Sequence, residues 1–150
     1  MGHNTNLTDN DALGIPGLGN PPSFKLEKTI DCSVTGLTSA DSYSVFKVEA
    51  GWILTGMKCE IITAEGGTAT ADIGLTGDDT DGIWDGGDSS ANALDLNAAA
   101  GTFTVAGGDV LAAAIAAQGG LLFTADDTID LLANNTMDTA VFKLTAYFLK

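Results

Sequence analysis

Apolar and polar residues alternate along several short stretches of this chain, with the period of two that is typical of β-strands with one buried face. The clearest stretch is 140–149, where one face consists of Ala140, Phe142, Leu144, Ala146 and Phe148. Two further stretches, 24–34 and 53–63, follow the same rule. Their predicted inward faces are Phe24, Leu26, Ile30, Cys32 and Val34 in the first, and Ile53, Met57, Cys59 and Ile61 in the second.

Shorter segments predict the remaining elements. Strands are expected at 42–49, 101–106, 121–124 and 128–133, with a turn at Gly36–Asp41, and Ser89–Leu96 is predicted to form a short helix. Residues 109–118, DVLAAAIAAQ, are ambiguous, because alanine favours a helix while the flanking strands favour another strand. We predict a helix that ends at Gly119. About eight short strands separated by turns indicate an all-β sandwich.

The stretch 72–88, DIGLTGDDTDGIWDGGD, is the segment around which the other predicted elements are arranged. A strand along Ala69, Ala71, Ile73 and Leu75 breaks at Gly77 into an acidic loop, and a glycine turn at 64–67 is expected to pair it as a hairpin with the strand at 53–63. Ile83 and Trp84 are apolar residues inside this loop, so we expect the loop to fold back onto the core. The chain before the loop is predicted to build one side of the domain, and the chain after it the other.

The aspartates of this loop are candidate calcium ligands, because Ca²⁺ binds several carboxylate and carbonyl oxygens. The candidates are Asp78, Asp79, Asp81 and Asp85. Their order does not match the twelve-residue calcium loop that ends in glutamate. A solvated acidic turn without a metal is the alternative, and no other cofactor is expected.

Residues 1–22 differ from the rest, being rich in Asn, Gly and Pro, and are predicted to form an extended arm before a domain at 23–150. A disordered tail is the alternative interpretation. As an arm, the segment would bind a partner protein or a neighbouring subunit through Leu13, Ile15, Leu18, Pro21 and Pro22.

Charge excludes some partners. The 150 residues carry 20 acidic side chains and 6 lysines, a formal net charge of −14, and the chain contains no arginine. Arginine and lysine contacts dominate phosphate recognition, so neither nucleic acid nor an anionic membrane is an expected partner. The N-terminal residues lack the hydrophobic region of a signal peptide, and no apolar run is long enough to span a bilayer.

Catalytic and metal-binding patterns are also missing from the sequence. His3 is the single histidine and lies in the polar arm, so a Ser-His-Asp or Cys-His arrangement lacks a base. We therefore expect a protein that is not an enzyme. Cys32 and Cys59 are predicted to be buried reduced thiols, with a disulfide between neighbouring strands as the alternative.

Two segments resemble a known group of proteins. They are VEAGWILTGMKCEIITAEGGTATADIGLTGDDTDGIWDG and FTADDTIDLLANNTMDTAVFKLTAYFL, within residues 45–149. They are similar to virion proteins of tailed bacteriophages, which include small β-sandwich or jelly-roll-like decoration and cement proteins. The N-terminal arm has no counterpart in this resemblance.

The resemblance implies a capsid decoration protein that is made in the host cytoplasm and binds the exterior of the assembled head. Its implied partners are the major capsid protein and further copies of itself, as a homotrimer. Head, head-fibre and tail proteins share these features. The alternative function is therefore a ligand-binding module of a tail or head fibre, with calcium-dependent carbohydrate binding as one form.

Overall fold

The structure is a computed structural model that describes residues 22–66, 69–76, 81–84, 94–95, 101–105 and 109–150. In chain order its elements are β1 (Ser23–Asp31), β2 (Ser42–Val48), β3 (Ile53–Thr63), β4 (Thr70–Leu75), β5 (Leu94–Asp95), β6 (Gly101–Val105), α1 (Asp109–Gln118), β7 (Leu121–Leu122), β8 (Asp127–Ala133) and β9 (Val141–Leu149). The expected all-β sandwich of about eight short strands is confirmed.

The strands form two antiparallel sheets. Sheet one has the order β1-β9-β3-β6, with β7 also paired to β3, and sheet two has the order β2-β8-β4-β5. In both sheets, strands that precede the acidic loop alternate with strands that follow it. The expectation that the loop divides the domain into two sides is therefore wrong.

This alternation has a simple topological cause. β1 pairs with β9, β2 with β8, β3 with β6, and β4 with β5, so the two halves of the chain run antiparallel as nested pairs. A chain doubled back on itself and then rolled into two sheets is a jelly roll. The short β7 is an addition between β6 and β8.

The core lies between the sheets. The predicted face from Ala140 to Phe148, which includes the inward side of β9, is buried at every second position, and Thr145 on the opposite side of β9 is buried as well. β3 departs from alternation because its register against β9 shifts between Leu54 and Gly56 and again between Ile61 and Thr63. An extra residue in one strand reverses the faces that follow it. Leu54 is therefore buried, whereas the predicted inward residue Ile53 is only half-buried.

Three further predictions need correction. β1 ends at Asp31, so Val34 lies in the following turn and is 81% exposed rather than inward-facing. The predicted hairpin at 64–67 is wrong, because β3 and β4 belong to different sheets and the chain crosses between them. Within the predicted helix Ser89–Leu96, the described residues Leu94 and Asp95 form β5 and pair with β4.

The helix α1 is confirmed over the predicted residues 109–118. Gly119 ends it with a φ of 83°, a conformation that glycine adopts without the penalty of a Cβ atom. The amide of Gly119 donates to the carbonyl of Ile115 at 2.9 Å, which closes the last turn. Local helix propensity therefore prevailed over the strand-rich surroundings.

Candidate functional site

The two ends of the described chain meet at one edge of sheet one. The amide of Lys150 donates to the carbonyl of Pro22 at 3.0 Å. Next to this contact, the ring of Phe24 lies 4.7 Å from that of Trp52 and 5.3 Å from that of Phe148. Aromatic pairs at these separations stabilise beyond their buried area. The predicted arm therefore joins the domain at a firmly packed position.

Charge and polarity at this position are unusual. The Lys150 Nζ lies 5.9 Å from the centroid of the Trp52 ring and 3.6 Å from a carboxylate oxygen of Glu49. The indole Nε1 of Trp52 is buried and donates no hydrogen bond to any residue that the structure describes. Buried N–H groups in proteins are normally hydrogen-bonded, so the Trp52 indole is an unusual feature of this position. Sequence reasoning missed this cluster, because Trp52 precedes β3 and belongs to no alternating pattern.

The residues predicted to bind a partner fall mostly outside the described part of the chain. Leu13, Ile15, Leu18 and Pro21 lie there, and their predicted role stays a prediction. Pro22 is described and exposed, one residue before β1. It is the only residue of the predicted arm that the structure describes.

The predicted return of the acidic loop to the core is confirmed. Ile83 is fully buried and Trp84 is 5% exposed. The Ile73 amide donates to the Trp84 carbonyl at 2.8 Å, while the amides of Ile83 and Trp84 donate to the Ile73 carbonyl at 2.9 and 2.8 Å. This segment extends the edge of β4 beyond its short pairing with β5, so it covers backbone groups that an open strand edge would expose.

The predicted calcium ligands are not brought together by the described residues. Asp81 is described and exposed, whereas Asp78, Asp79 and Asp85 lie outside the described part of the chain. Within the ranges that the structure describes, no group of three or more His, Cys, Asp or Glu side chains is placed to hold a metal. Calcium binding therefore stays a prediction.

On the outer face of sheet one, lysine and glutamate side chains form ion pairs. Lys25 pairs with Glu27 at 3.0 Å, and Lys143 pairs with Glu60 at 2.8 Å. The hydrogen bond and the positive charge of Lys25 lower the pKa of Glu27, and the hydrogen bond and charge of Glu60 raise the pKa of Lys143. Strand neighbours of opposite sign thus hold each other ionised on this face.

One more lysine contributes to this face, at its centre. The Lys58 Nζ lies 5.5 Å from the centroid of the Tyr147 ring, within the range of a cation–π contact. Tyr147 lies on β9 next to β3, which carries Lys58. The outer face of sheet one therefore combines paired charges with an aromatic ring.

Sheet two presents a more acidic outer face. Thr76 donates its hydroxyl hydrogen to Asp130, and Thr128 shares a hydrogen bond with Thr76. The carboxylate of Asp72 accepts from Asn134 Nδ2 at 2.9 Å. Lys47 is the one lysine within the described strands of this sheet. The two outer faces of the sandwich thus differ in charge.

The cysteine prediction is confirmed. Cys32 and Cys59 are free, buried thiols. Burial, with nearby carboxylates adding to it, raises the pKa of Cys32 to about 11. Burial followed by the charge of Glu60 raises the pKa of Cys59 to about 12. Both groups remain protonated near neutral pH and are poor nucleophiles.

Glu65 is a second feature that sequence reasoning missed. Its carboxylate Oε2 accepts from the amides of Ala140 at 2.8 Å and Thr139 at 3.0 Å, just before β9. Partial burial acts to raise the pKa of Glu65, but hydrogen bonds from the backbone of Ala140, Thr139 and Asp138 outweigh it and lower the pKa. No local pattern could indicate a contact between residues this far apart in the chain.

Among the described residues, no helix is long and apolar enough to cross a membrane. No protein-family model matches the chain, and no curated protein is found to match it. Solved structures do match, and the matches extend over nearly the whole fold.

Three of these structures come from bacteriophage capsids. A chain in the acid-stable capsid of Helicobacter pylori bacteriophage KHP30 matches with a TM-score of 0.59 and 11% identity, covering 87% of this chain and 90% of that one. A chain of the capsid asymmetric unit of cyanophage Pam1 matches with a TM-score of 0.52 and 16% identity, covering 90% of both chains. A chain in the capsid of Ralstonia phage GP4 matches with a TM-score of 0.57 and 9% identity, covering 91% of this chain and 88% of that one. At these identities the likeness shows a shared fold.

Proposed function

We propose that this protein is a structural component of a bacteriophage capsid, and specifically a decoration or cement protein on the exterior of the assembled head. The observation that carries the proposal is the shared fold, which covers about nine-tenths of this chain and of each capsid chain it matches. Fold alone does not define function. The jelly-roll topology, the acidic charge and the arm are all compatible with this one role.

The proposed mechanism is stabilisation by binding. A protein that binds the assembled shell and not its free subunits shifts the equilibrium toward the shell. The partners would be the major capsid protein and other copies of this chain in a homotrimer. The net charge of −14 would keep the free protein soluble until it binds.

Binding to capsids is the direct test. Purified protein is mixed with heads of the encoding phage that lack it, and the heads are then sedimented and analysed for bound protein and for heat resistance. We expect saturable binding and a higher temperature of head disruption. Binding to tails but not to heads would contradict the decoration role and favour the tail or head-fibre alternative.

The arm supplies a second test. Deletion of residues 1–22 should leave the domain folded, because the described core from β1 to β9 contains none of them, while occupancy on heads should fall at least about tenfold, equivalent to about 1.4 kcal/mol. Alanine at Leu13, Ile15 and Leu18 should reproduce this loss. Alanine at Asn4, Thr5 and Asn6 is the control. Unchanged occupancy after the deletion would show that these residues are only a tail.

A further inference from the structure

The helix α1 has an unusual composition for a helix at a protein surface. Its sequence DVLAAAIAAQ contains one charged residue, Asp109, at its start. Leu111 is fully buried, whereas Ile115 is 37% exposed and residues 116–118 are exposed as well. A helix that is apolar on all sides is normally buried on all sides. The exposed side of α1 therefore looks like a contact surface without its partner.

This surface is held rigidly at both of its ends. The amide of Leu111 donates to the carbonyl of Gly82 at 3.0 Å, which ties the start of α1 to the loop after β4. After the helix, Gly120 approaches β3 so closely that an added Cβ would lie 2.8 Å from the Leu54 carbonyl oxygen. A surface fixed in this way loses little conformational entropy when it binds.

The strand β7 continues the same apolar surface. Leu121 pairs with Leu54 and Leu122 pairs with Ile53, so β7 lies along β3 beyond the end of α1. Leu122 is 45% exposed. We call Ile115, Ala116 and Leu122, with the exposed residues between them, the α1–β7 face.

Charge decides what can bind there. Residues 110–125 form an uncharged run of 16 residues, the longest in a chain with a net charge of −14. Two copies of a strongly acidic protein repel each other wherever their carboxylates meet. Because residues 110–125 carry no charge, two copies can approach each other there with little electrostatic repulsion.

We propose that the α1–β7 face is the surface through which one copy of this chain binds a second copy. Ile115 and Leu122 are the central apolar contacts. The centre of a protein interface is likewise apolar and depleted of charged residues. The inference rests on the proposed function only for the expectation of a homo-oligomer, and it is tested on purified protein without capsids.

The test measures the molar mass of the full chain by sedimentation equilibrium over a range of concentrations. The wild-type protein should self-associate, and Ile115→Glu should raise the concentration at half-association at least about tenfold, a change of about 1.4 kcal/mol. Ala116→Glu should act in the same direction and cannot disturb the core, because Ala116 is exposed. Thermal melting of each variant checks that it is folded.

Val34→Glu is the matched control. Val34 is also apolar and exposed, at 81%, but lies in the turn after β1. This variant should associate like the wild type. A wild-type protein that stays monomeric at every concentration would overturn the proposal. So would equal weakening by Val34→Glu and Ile115→Glu, or association that both α1 variants leave unchanged.

A further outcome concerns the arm. If residues 1–22 of the same copy covered the α1–β7 face, their deletion would increase association of the purified protein. That result would support the proposal, because the uncovered face would then bind the second copy. Failure of capsid binding with intact self-association would instead count against the proposed function alone, so the two failures are distinguishable.

Discussion

The inner strands β9 of sheet one and β4 of sheet two are paired in different ways. In sheet one, β9 pairs with β1 at all nine of its positions and with β3 along its other side. In sheet two, β4 pairs with β5 at two positions only, and backbone from Ile83 and Trp84 covers more of that edge. Sheet one is therefore stabilised by its own strands, whereas sheet two depends on a loop segment.

We therefore expect the two sheets to differ in how cooperatively they unfold. A strand with two long partners opens only when much of the domain unfolds, while a strand edge covered by a short segment opens locally. Disruption of β9 should lower the stability of the whole domain. Disruption of the Ile83–Trp84 segment should act first on β4.

The largest expected effect follows from shortening a central side chain of sheet one. Phe142 is fully buried, and its backbone pairs with Ile30 on one side and Ile61 on the other. Phe142→Ala should lower the free energy of unfolding by about 3–5 kcal/mol, measured by urea denaturation. Thr29→Ala, at an exposed position of β1, is the control and should change little. A loss below about 1 kcal/mol would contradict the central role of β9.

A smaller and more local effect is expected from the loop segment. Ile83 is fully buried, so Ile83→Ala should cost about 2–3 kcal/mol, near the lower end for such changes because a loop can partly collapse into the space. Hydrogen exchange at the Ile73 amide, which donates to Trp84, should accelerate more than exchange in β9. Equal acceleration in both sheets would refute the proposed difference in cooperativity.

The same difference explains what the sequence could predict. The alternation of apolar and polar residues located β9, because a regularly paired strand with a buried face has apolar residues at every second position. The burial of Ile83 and Trp84 was also predicted, since two large apolar residues in an acidic loop need a place out of water. The helical state of residues 109–118 followed from alanine content.

Errors arose where distant contacts decide the structure. The register shift between Leu54 and Gly56 moved Ile53 outward, and no residue type marks that shift in advance. The crossing from β3 to β4 was predicted as a hairpin because a glycine turn has the same local sequence in both cases. The contact of Glu65 with Ala140 joins residues 75 positions apart. Such features depend on topology and not on local propensity.

The predicted calcium site would lie in the acidic loop next to sheet two and can be tested by melting. If Asp78, Asp79, Asp81 and Asp85 bind Ca²⁺, calcium at 100 times its Kd should add about 2.7 kcal/mol and raise the melting temperature, and a chelator should reverse this. Asp81→Asn should reduce the shift. Glu49→Gln removes an exposed charge elsewhere and should not. Melting that is identical with calcium and with chelator would establish a metal-free acidic turn.

Glu65 tests the connection between the two sheets. Its carboxylate lies on the crossing from β3 to β4 and accepts two amides before β9, so Glu65→Ala should cost about 1–2 kcal/mol, near the lower end for hydrogen bonds to a charged acceptor because the side chain is partly exposed.

The effect of Glu65 should depend on pH. Its folded-state pKa lies below the ordinary 4.5, so its contribution is complete above about pH 4.5 and is lost as the pH falls through the folded value. Urea denaturation of the wild type and Glu65→Gln between pH 3 and 7 measures this. Curves that stay equally far apart across that range would contradict the assignment.

The smallest effect is expected from the ion pair of Lys143 and Glu60 on the outer face of sheet one. The Nζ–Oε2 distance is 2.8 Å, but the side chains are 35% and 44% exposed. Exposed ion pairs contribute little to stability, so Lys143→Ala should lower the free energy of unfolding less than any of the changes above, and this loss should shrink in high salt. The raised pKa of Lys143 makes the contribution complete below about pH 10.5, and it is lost as the pH rises through the folded value. A double-mutant cycle with Glu60→Ala isolates the pair, and Lys47→Ala on sheet two is the control. A coupling as large as the effect of Glu65→Ala would mean that charge pairing, and not only strand pairing, stabilises sheet one.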